Sequence, residues 1–236
     1  MSISRKYGRT YHLPFSPGTT SDDKINSDWW EDLLKIRKII ITEKLDGENS
    51  CVNSVGVFAR SHAAPNNKPW ANHLKELRAL ILKDIEENNI EIFGENLYAI
   101  HSIEYDNLDS HFYVFGIRSG NTWLSWDKVE EICFLLDLKT VPVIGIYNTS
   151  DFENPLEFRN FVESITINQS TFGSRDVSTG EKCEMEGVVI SNYDGYETDD
   201  MGQIVSSNVF KYVRSNHVKT DEHWIKNWKV AKLNNW

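Results

Sequence analysis

Short apolar stretches broken by polar positions recur along the 236 residues, and their period alternates between two and three to four. Ile39 to Lys44 and Val52 to Arg60 alternate as strands do, with the turn pair Asp46-Gly47 between them. They read as paired strands that present Lys44 at a strand edge facing a cleft. Pro69 then precedes Leu74, Leu77, Ile81 and Ile85, a spacing that predicts an amphipathic helix over 70–87. Ile90 to Tyr98, Phe112 to Arg118, Val141 to Tyr147, Gly187 to Ser191 and Val205 to Arg214 read as strands, and Asp127 to Leu136 and Leu156 to Ser164 as helices. Strands mixed with helices, without regular βαβ alternation, predict an α+β fold with mostly antiparallel sheets. Residues 7–24, with Pro14, Pro17, Gly18 and a Ser/Thr/Asp cluster, read as an ordered or semi-ordered loop.

Composition narrows the class. With 40% hydrophobic and 12% aromatic residues, the chain can bury a substantial core as one large domain or two tightly joined lobes. No apolar run approaches the ~20 residues of a membrane helix. The N-terminal Arg5, Lys6 and Arg9 have no apolar segment behind them, so no secretory signal is expected. Cys51, Cys133 and Cys183 are odd in number and lack CxxC spacing, which points to a reducing, cytoplasmic setting and no structural zinc. His12, His62, His73, His101, His111, His217 and His223 include no HxH or HExxH spacing, which argues against a zinc hydrolase.

The formal charge of −10 argues against holding nucleic acid by bulk attraction, so distribution matters more than the total. From Lys211 onward six basic residues face two acidic ones, a net of plus four that leaves about minus fourteen for the rest. Lys226, Lys229 and Lys232 recur every three residues, as on one face of a helix. A solvated face and a nucleic-acid contact are both open there.

Candidate chemistry begins at Lys44-Leu45-Asp46-Gly47, where an amine ends a hydrophobic strand beside Glu43. Alone, this is equally an ordinary turn with a solvated lysine. Four further positions lie in or at the ends of apolar stretches: Glu95 after Phe93-Gly94, Phe115 within Phe112 to Gly116, Glu186 before Gly187-Val188-Val189, and Lys211 after Val209-Phe210. In this order they resemble the covalent nucleotidyltransferase superfamily of polynucleotide ligases and capping enzymes. The phrases around Thr42 to Asn49, Phe93 to Ile103 and Lys211 to Arg214, with Asn216-His217-Val218 and Thr220 to Trp224, resemble an ATP-dependent RNA ligase from roughly Tyr7 to Trp224.

The resemblance implies a nucleotidyltransferase (ATP-grasp-like) α+β domain whose mostly antiparallel sheets surround a nucleotide cleft. A single adenylation domain would span 1–236 with a short helical tail and, in the roughly 25 residues after Lys211, no oligonucleotide-binding barrel. No G-x-x-x-x-G-K-[ST] loop is present to cradle phosphates, which fits covalent handling of ATP. Lys44 would be the nucleophile, its amine freed by burial or neighbouring positive charge. Lys211 would hold the α-phosphate, and Glu186 would bind Mg2+ or Mn2+. Asp46 and Glu95 would accept from ribose hydroxyls or metal-bound water, Phe115 would stack on adenine, Glu43 would reach its amino group, and Arg60 would contact sugar or phosphate. Arg9, His12, His101 and His217 are candidates for touching substrate, with structural roles as the alternative. The chain departs from the pattern at Val213, where many ligases carry a second lysine.

The implied partners are RNA ends, a 5′-phosphate and a 3′-hydroxyl. A DNA ligase, a GTP-using capping-type enzyme and a catalytically inactive nucleic-acid-binding module of the same fold remain the alternatives.

Overall fold

The computed structural model describes residues 6–8, 10–19, 21–198, 207–215 and 228–234. In chain order the elements are β1 (Tyr11–His12), α1 (Trp29–Leu34), β2 (Lys38–Lys44), β3 (Glu48–Val52), β4 (Val57–Ala59), α2 (Asn72–Asn88), β5 (Ile90–Asn96), β6 (Ile103–Tyr105) and β7 (Phe112–Ser119). There follow β8 (Thr122–Trp123), α3 (Trp126–Leu135), β9 (Lys139–Thr140), β10 (Val143–Asn148), α4 (Pro155–Thr166), β11 (Ser174–Asp176), β12 (Gly187–Asn192), β13 (Tyr196–Glu197) and β14 (Val209–Val213).

Two sheets carry the architecture, and the fold is α+β and mostly antiparallel, as the patterning predicts. The first runs β1-β14-β12-β2-β10, and the second β13-β8-β7-β5-β3-β4 with β9 beside β7. Only β1–β14 and β7–β9 pair in parallel among these. Period-two alternation gives the first sheet two faces. Ile39, Ile41, Val188, Ile190, Phe210 and Tyr212 pack with Trp29 and Leu33 of α1 and Phe158 and Val162 of α4. The larger core sets β5 and β7 against Leu74, Ile81 and Ile85 of α2 and Trp126, Val129 and Cys133 of α3.

Three expectations need correction. β2 and β3 are not paired with each other: β2 lies between β12 and β10, while β3 lies between β5 and β4. The Asp46-Gly47 segment is thus the crossing from one sheet to the other. Val52 to Arg60 is not one strand either. The Asn53 Oδ1 accepts the backbone N–H groups of Val55 and Gly56 at 3.0 and 3.1 Å, folding the chain back into the β3–β4 hairpin. In the tail, residues 228–234 are extended rather than helical. Ala99 bridges Val230 and Leu108 bridges Leu233, Lys229 C=O accepts from Ile100 N–H, and Ala231 N–H donates to Tyr98 C=O. The lysine spacing of three reflects no helix there. Lys219, Trp224, Lys226 and Trp236 lie outside the described residues.

Candidate active site

A cavity of about 710 Å³ opens between the inner faces of the two sheets, a size suited to a nucleotide. Thr42 and Lys44 of β2, Val189 of β12, and Val209 and Lys211 of β14 line it from the first sheet. Asn49, Glu95, Phe115 and Trp123 line it from the second. Gly187 stands opposite Lys44, and Val189 opposite Lys211, so hydrogen-bond register alone brings Lys44, Glu186 and Lys211 to one end of the sheet. The register tolerates no side chain at two of its glycines. A Cβ on Gly187 would lie 1.9 Å from the Tyr212 carbonyl oxygen, and one on Gly47 2.5 Å from that of Asn96.

Lys44 Nζ donates to Glu186 Oε1 at 2.6 Å, with the lysine side chain 26% exposed and the glutamate 6%. Burial opposes the ammonium, but the Glu186, Glu95 and Asp46 carboxylates outweigh it and hold the Lys44 pKa above its ordinary value. Among these protein groups alone, the cation is favoured. Glu95 shows the opposite strain. Burial pushes its pKa up to about 8, Lys44 opposes that, and Glu186 and Asp46 add to it; its Oε1 accepts from Gly47 N–H at 3.2 Å.

Lys211, on β14, is pushed down to about 8 by burial and by the nearby Lys44 charge, with Asp23 partly offsetting. Its Nζ lies 3.6 Å from Asp23 Oδ1. Arg60, just beyond β4, donates from Nε to the Gly8 carbonyl at 3.2 Å and faces the cavity. Phe115 also faces it, with the Tyr7 ring packed edge-on at 5.2 Å.

Asp46 and Glu43 line the cavity and also tie into the scaffold. The Asp46 Oδ2 accepts the backbone N–H groups of Ser102 and Ile103, each at 2.8 Å, while Asp46 N–H donates to the Tyr105 hydroxyl at 2.8 Å. That oxygen ties the sheet crossing to the 97–105 segment. Strand alternation turns Glu43 away from Lys44, and its Oε2 accepts from Thr171 N–H at 3.0 Å. Among the described residues its Oε1 has no hydrogen-bond partner, and burial raises its pKa.

The Val213 backbone is engaged by the N-terminal loop, with N–H donated to Ser16 Oγ at 2.9 Å and C=O accepting from Gly18 N–H at 2.9 Å. Arg214 does not replace the missing lysine, because its Nε donates to the Met185 carbonyl at 3.1 Å. His12 and His101 line the cavity; Arg9, His217 and His223 lie outside the described residues.

Sequence reading assigned no role to Asn49, Tyr7 or Asp23, all of which line the cavity. Among the described residues the buried Asn49 Oδ1 has no hydrogen-bond partner. Its signal was available: two residues beyond Gly47 at the start of a strand, it shares a face with the Gly47 crossing.

Among the described residues, no group of three or more His, Cys, Asp or Glu side chains is placed to hold a metal ion unaided. The donor set, Glu186 with Glu95 nearby, instead suits a hard cation that keeps several waters and shares phosphate oxygens. No described helix is long and apolar enough to cross a membrane.

A family model described as RNA ligase matches residues 37–213, the span from β2 to the end of β14. No curated protein sequence matches. Among solved structures, Naegleria gruberi RNA ligase with PPi is similar at a TM-score of 0.53 and 15% identity, over 91% of this chain and 60% of that one. A mutant of that enzyme with ATP and Mn gives 0.54 and 15%, over 91% and 61%. An archaeal ATP-dependent RNA ligase gives 0.53 and 14%, over 89% and 48%. At these identities the likeness is one of fold. The chain spans about half to three fifths of the length of these structures.

Proposed function

This chain belongs to the RNA ligase family, and from that premise we propose that it joins RNA ends with ATP through a lysyl-AMP formed on Lys44. The observation that carries the reading is the placement of Lys44 Nζ on the cavity wall, 2.6 Å from Glu186, with Glu95 facing it and Lys211 two strands away.

In the first step the Lys44 amine attacks the α-phosphorus of ATP. An N–P bond forms, the bond to the bridging oxygen breaks, and pyrophosphate leaves with that electron pair. The ammonium must first lose a proton to water, and Glu186, the carboxylate in contact with it, favours keeping that proton for as long as its own charge is uncompensated. Lys211 meets the negative charge on the α-phosphate as a fixed cation already in place before reaction. Phe115 offers a ring face to adenine, and Arg60 a guanidinium to sugar or phosphate. Asn49, whose Oδ1 no described residue engages, offers an acceptor to a ribose hydroxyl or metal-bound water. Glu186 and Glu95 would hold Mg2+ or Mn2+, which would neutralise both carboxylates, weaken their hold on the Lys44 proton and offset phosphate charge. Asp46 keeps the crossing in register rather than binding ribose through Oδ2.

AMP then passes to a 5′-phosphate end, and a 3′-hydroxyl displaces it to close the phosphodiester. The test is incubation with ATP, a divalent cation and end-labelled RNA carrying 5′-phosphate and 3′-hydroxyl. Adenylated RNA followed by joined product is expected, with neither when the 5′-phosphate is removed. Products with GTP alone, or on DNA ends alone, would move the assignment to a capping-type enzyme or a DNA ligase.

A further inference from the structure

The segment ahead of the matched region enters the cavity at a defined point. His12 N–H donates to the Lys24 carbonyl at 2.8 Å and Asn26 N–H to the His12 carbonyl at 3.0 Å. Residues 24–26 thereby run parallel to β1 and continue the first sheet outward. β1 itself pairs with β14, His12 opposite Lys211. Asp23, immediately before the added strand, is thus set by backbone hydrogen bonds beside the Lys211 side chain.

The side chains complete a chain of contacts. Ser16 Oγ accepts from Val213 N–H at 2.9 Å and lies 2.9 Å from His12 Nδ1. The Ser16 hydroxyl also reaches the Val213 carbonyl at 3.3 Å, and on the far side of the ring His12 Nε2 lies 3.3 Å from Asp23 Oδ1. The same oxygen lies 3.6 Å from Lys211 Nζ. The His12 side chain is fully buried and that of Asp23 is 20% exposed, so the imidazole cannot swing away and the carboxylate reaches the cavity.

We infer that Asp23, braced by His12 and Ser16, is the positioning residue of Lys211: it fixes the ammonium that meets the phosphate in lysyl-AMP formation. A lysine on a flexible four-carbon stem has many rotamers to lose when its ammonium is fixed. A cation held in place before reaction costs no reorganisation when charge develops on the phosphate. Asp23 need not touch the nucleotide, so its removal leaves ATP binding and lowers the rate of transfer. The His12–Asp23 pair serves the site from a segment that lies outside residues 37–213.

This inference rests on the proposed adenylation of Lys44, and the experiment separates the two. Single-turnover lysyl-AMP formation is measured for the full chain, Asp23→Asn, Lys211→Ala and the double variant. Asp23→Asn is expected to slow transfer at saturating ATP about tenfold, with the half-saturating ATP concentration changed less than twofold. In the Lys211→Ala background the same substitution adds nothing, because its effect runs through that ammonium. Losses that multiply in the double variant, or a loss confined to ATP affinity, overturn the proposal.

A second measurement needs no catalysis. Acylation of Lys211 by acetic anhydride at pH 8, scored by peptide mass spectrometry against the exposed Lys83, should rise at least threefold in Asp23→Asn. Unchanged labelling overturns the Asp23–Lys211 link. If the full chain forms no lysyl-AMP while labelling rises, the functional reading fails and the positional one stands.

Discussion

At the scale of single residues, the site is a negotiation among charges that burial has made expensive. The Glu186 and Glu95 carboxylates favour the Lys44 ammonium over burial, so on the proposed mechanism the amine must be freed before it can attack. Replacing Glu186 by Gln removes the charge from the contact at 2.6 Å and should cut lysyl-AMP formation at least a hundredfold; a rate within threefold of the parent would show that Glu186 does not hold the cation. Asp46 separates two roles. Asp46→Ala forfeits two charge-assisted hydrogen bonds to Ser102 and Ile103, and should lower stability by about 2–4 kcal/mol in urea unfolding. Full stability with adenylation lost would return Asp46 to the ribose contact read from its sequence phrase. Residue types are legible in a sequence, but orientation is not: neither Lys-Leu-Asp-Gly nor Glu-Lys says which carboxylate faces the cleft and which the scaffold.

The elements were legible wherever period alone decides them. Ile90 to Asn96 and Phe112 to Ser119 alternate between two packed faces, and Leu74, Ile81 and Ile85 follow a helix repeat. Periodicity fails where one side chain bends the chain, as Asn53 does between β3 and β4, and where pairing is non-local. The partners of β2 are β10 and β12, both far along the chain, which no local pattern announces. At residues 228–234 it fails for a third reason: spacing of charges says nothing about backbone that gains its hydrogen bonds from residues 98–108. One cross-strand pair is both local and decisive. Arg118 on β7 is fully buried, its Nη2 2.7 Å from Glu91 Oε2 on β5, with its guanidinium over the rings of Phe93 and Trp123 at 5.0 and 5.4 Å. Arg118→Ala leaves Glu91 without this cation and should cost about 3–5 kcal/mol. A loss below 1 kcal/mol in denaturant unfolding would mean that water reaches Glu91 and the pair does not hold the strands.

Over the whole molecule, buried titratable groups set how stability follows pH. Burial pushes His62 and His73 down to about 4. Between about pH 4 and 6.5 the unfolded chain therefore binds protons that these rings refuse, and stability falls as pH drops through that window. His62 alone accounts for up to about 3 kcal/mol. Glu43, Glu48 and Glu95, raised by burial, act in the opposite sense, because the folded chain takes up their protons more readily. The difference between the parent and His62→Leu in urea midpoint, measured at pH 7.5 and pH 5.0, isolates the histidine: the gap should move in favour of the variant at the lower pH, and an unchanged gap would contradict it. The same two-sheet arrangement that buries these groups brings Lys44, Glu186 and Lys211 from β2, the start of β12 and β14 to one cavity, and on this convergence the functional account depends. The most direct test is intact mass of the chain and of Lys44→Ala, before and after incubation with ATP and a divalent cation, with the modified peptide sequenced. The account predicts a gain of one AMP, on Lys44 and only where Lys44 is present. AMP on another residue, or no gain in a chain that also carries none as purified, would contradict it.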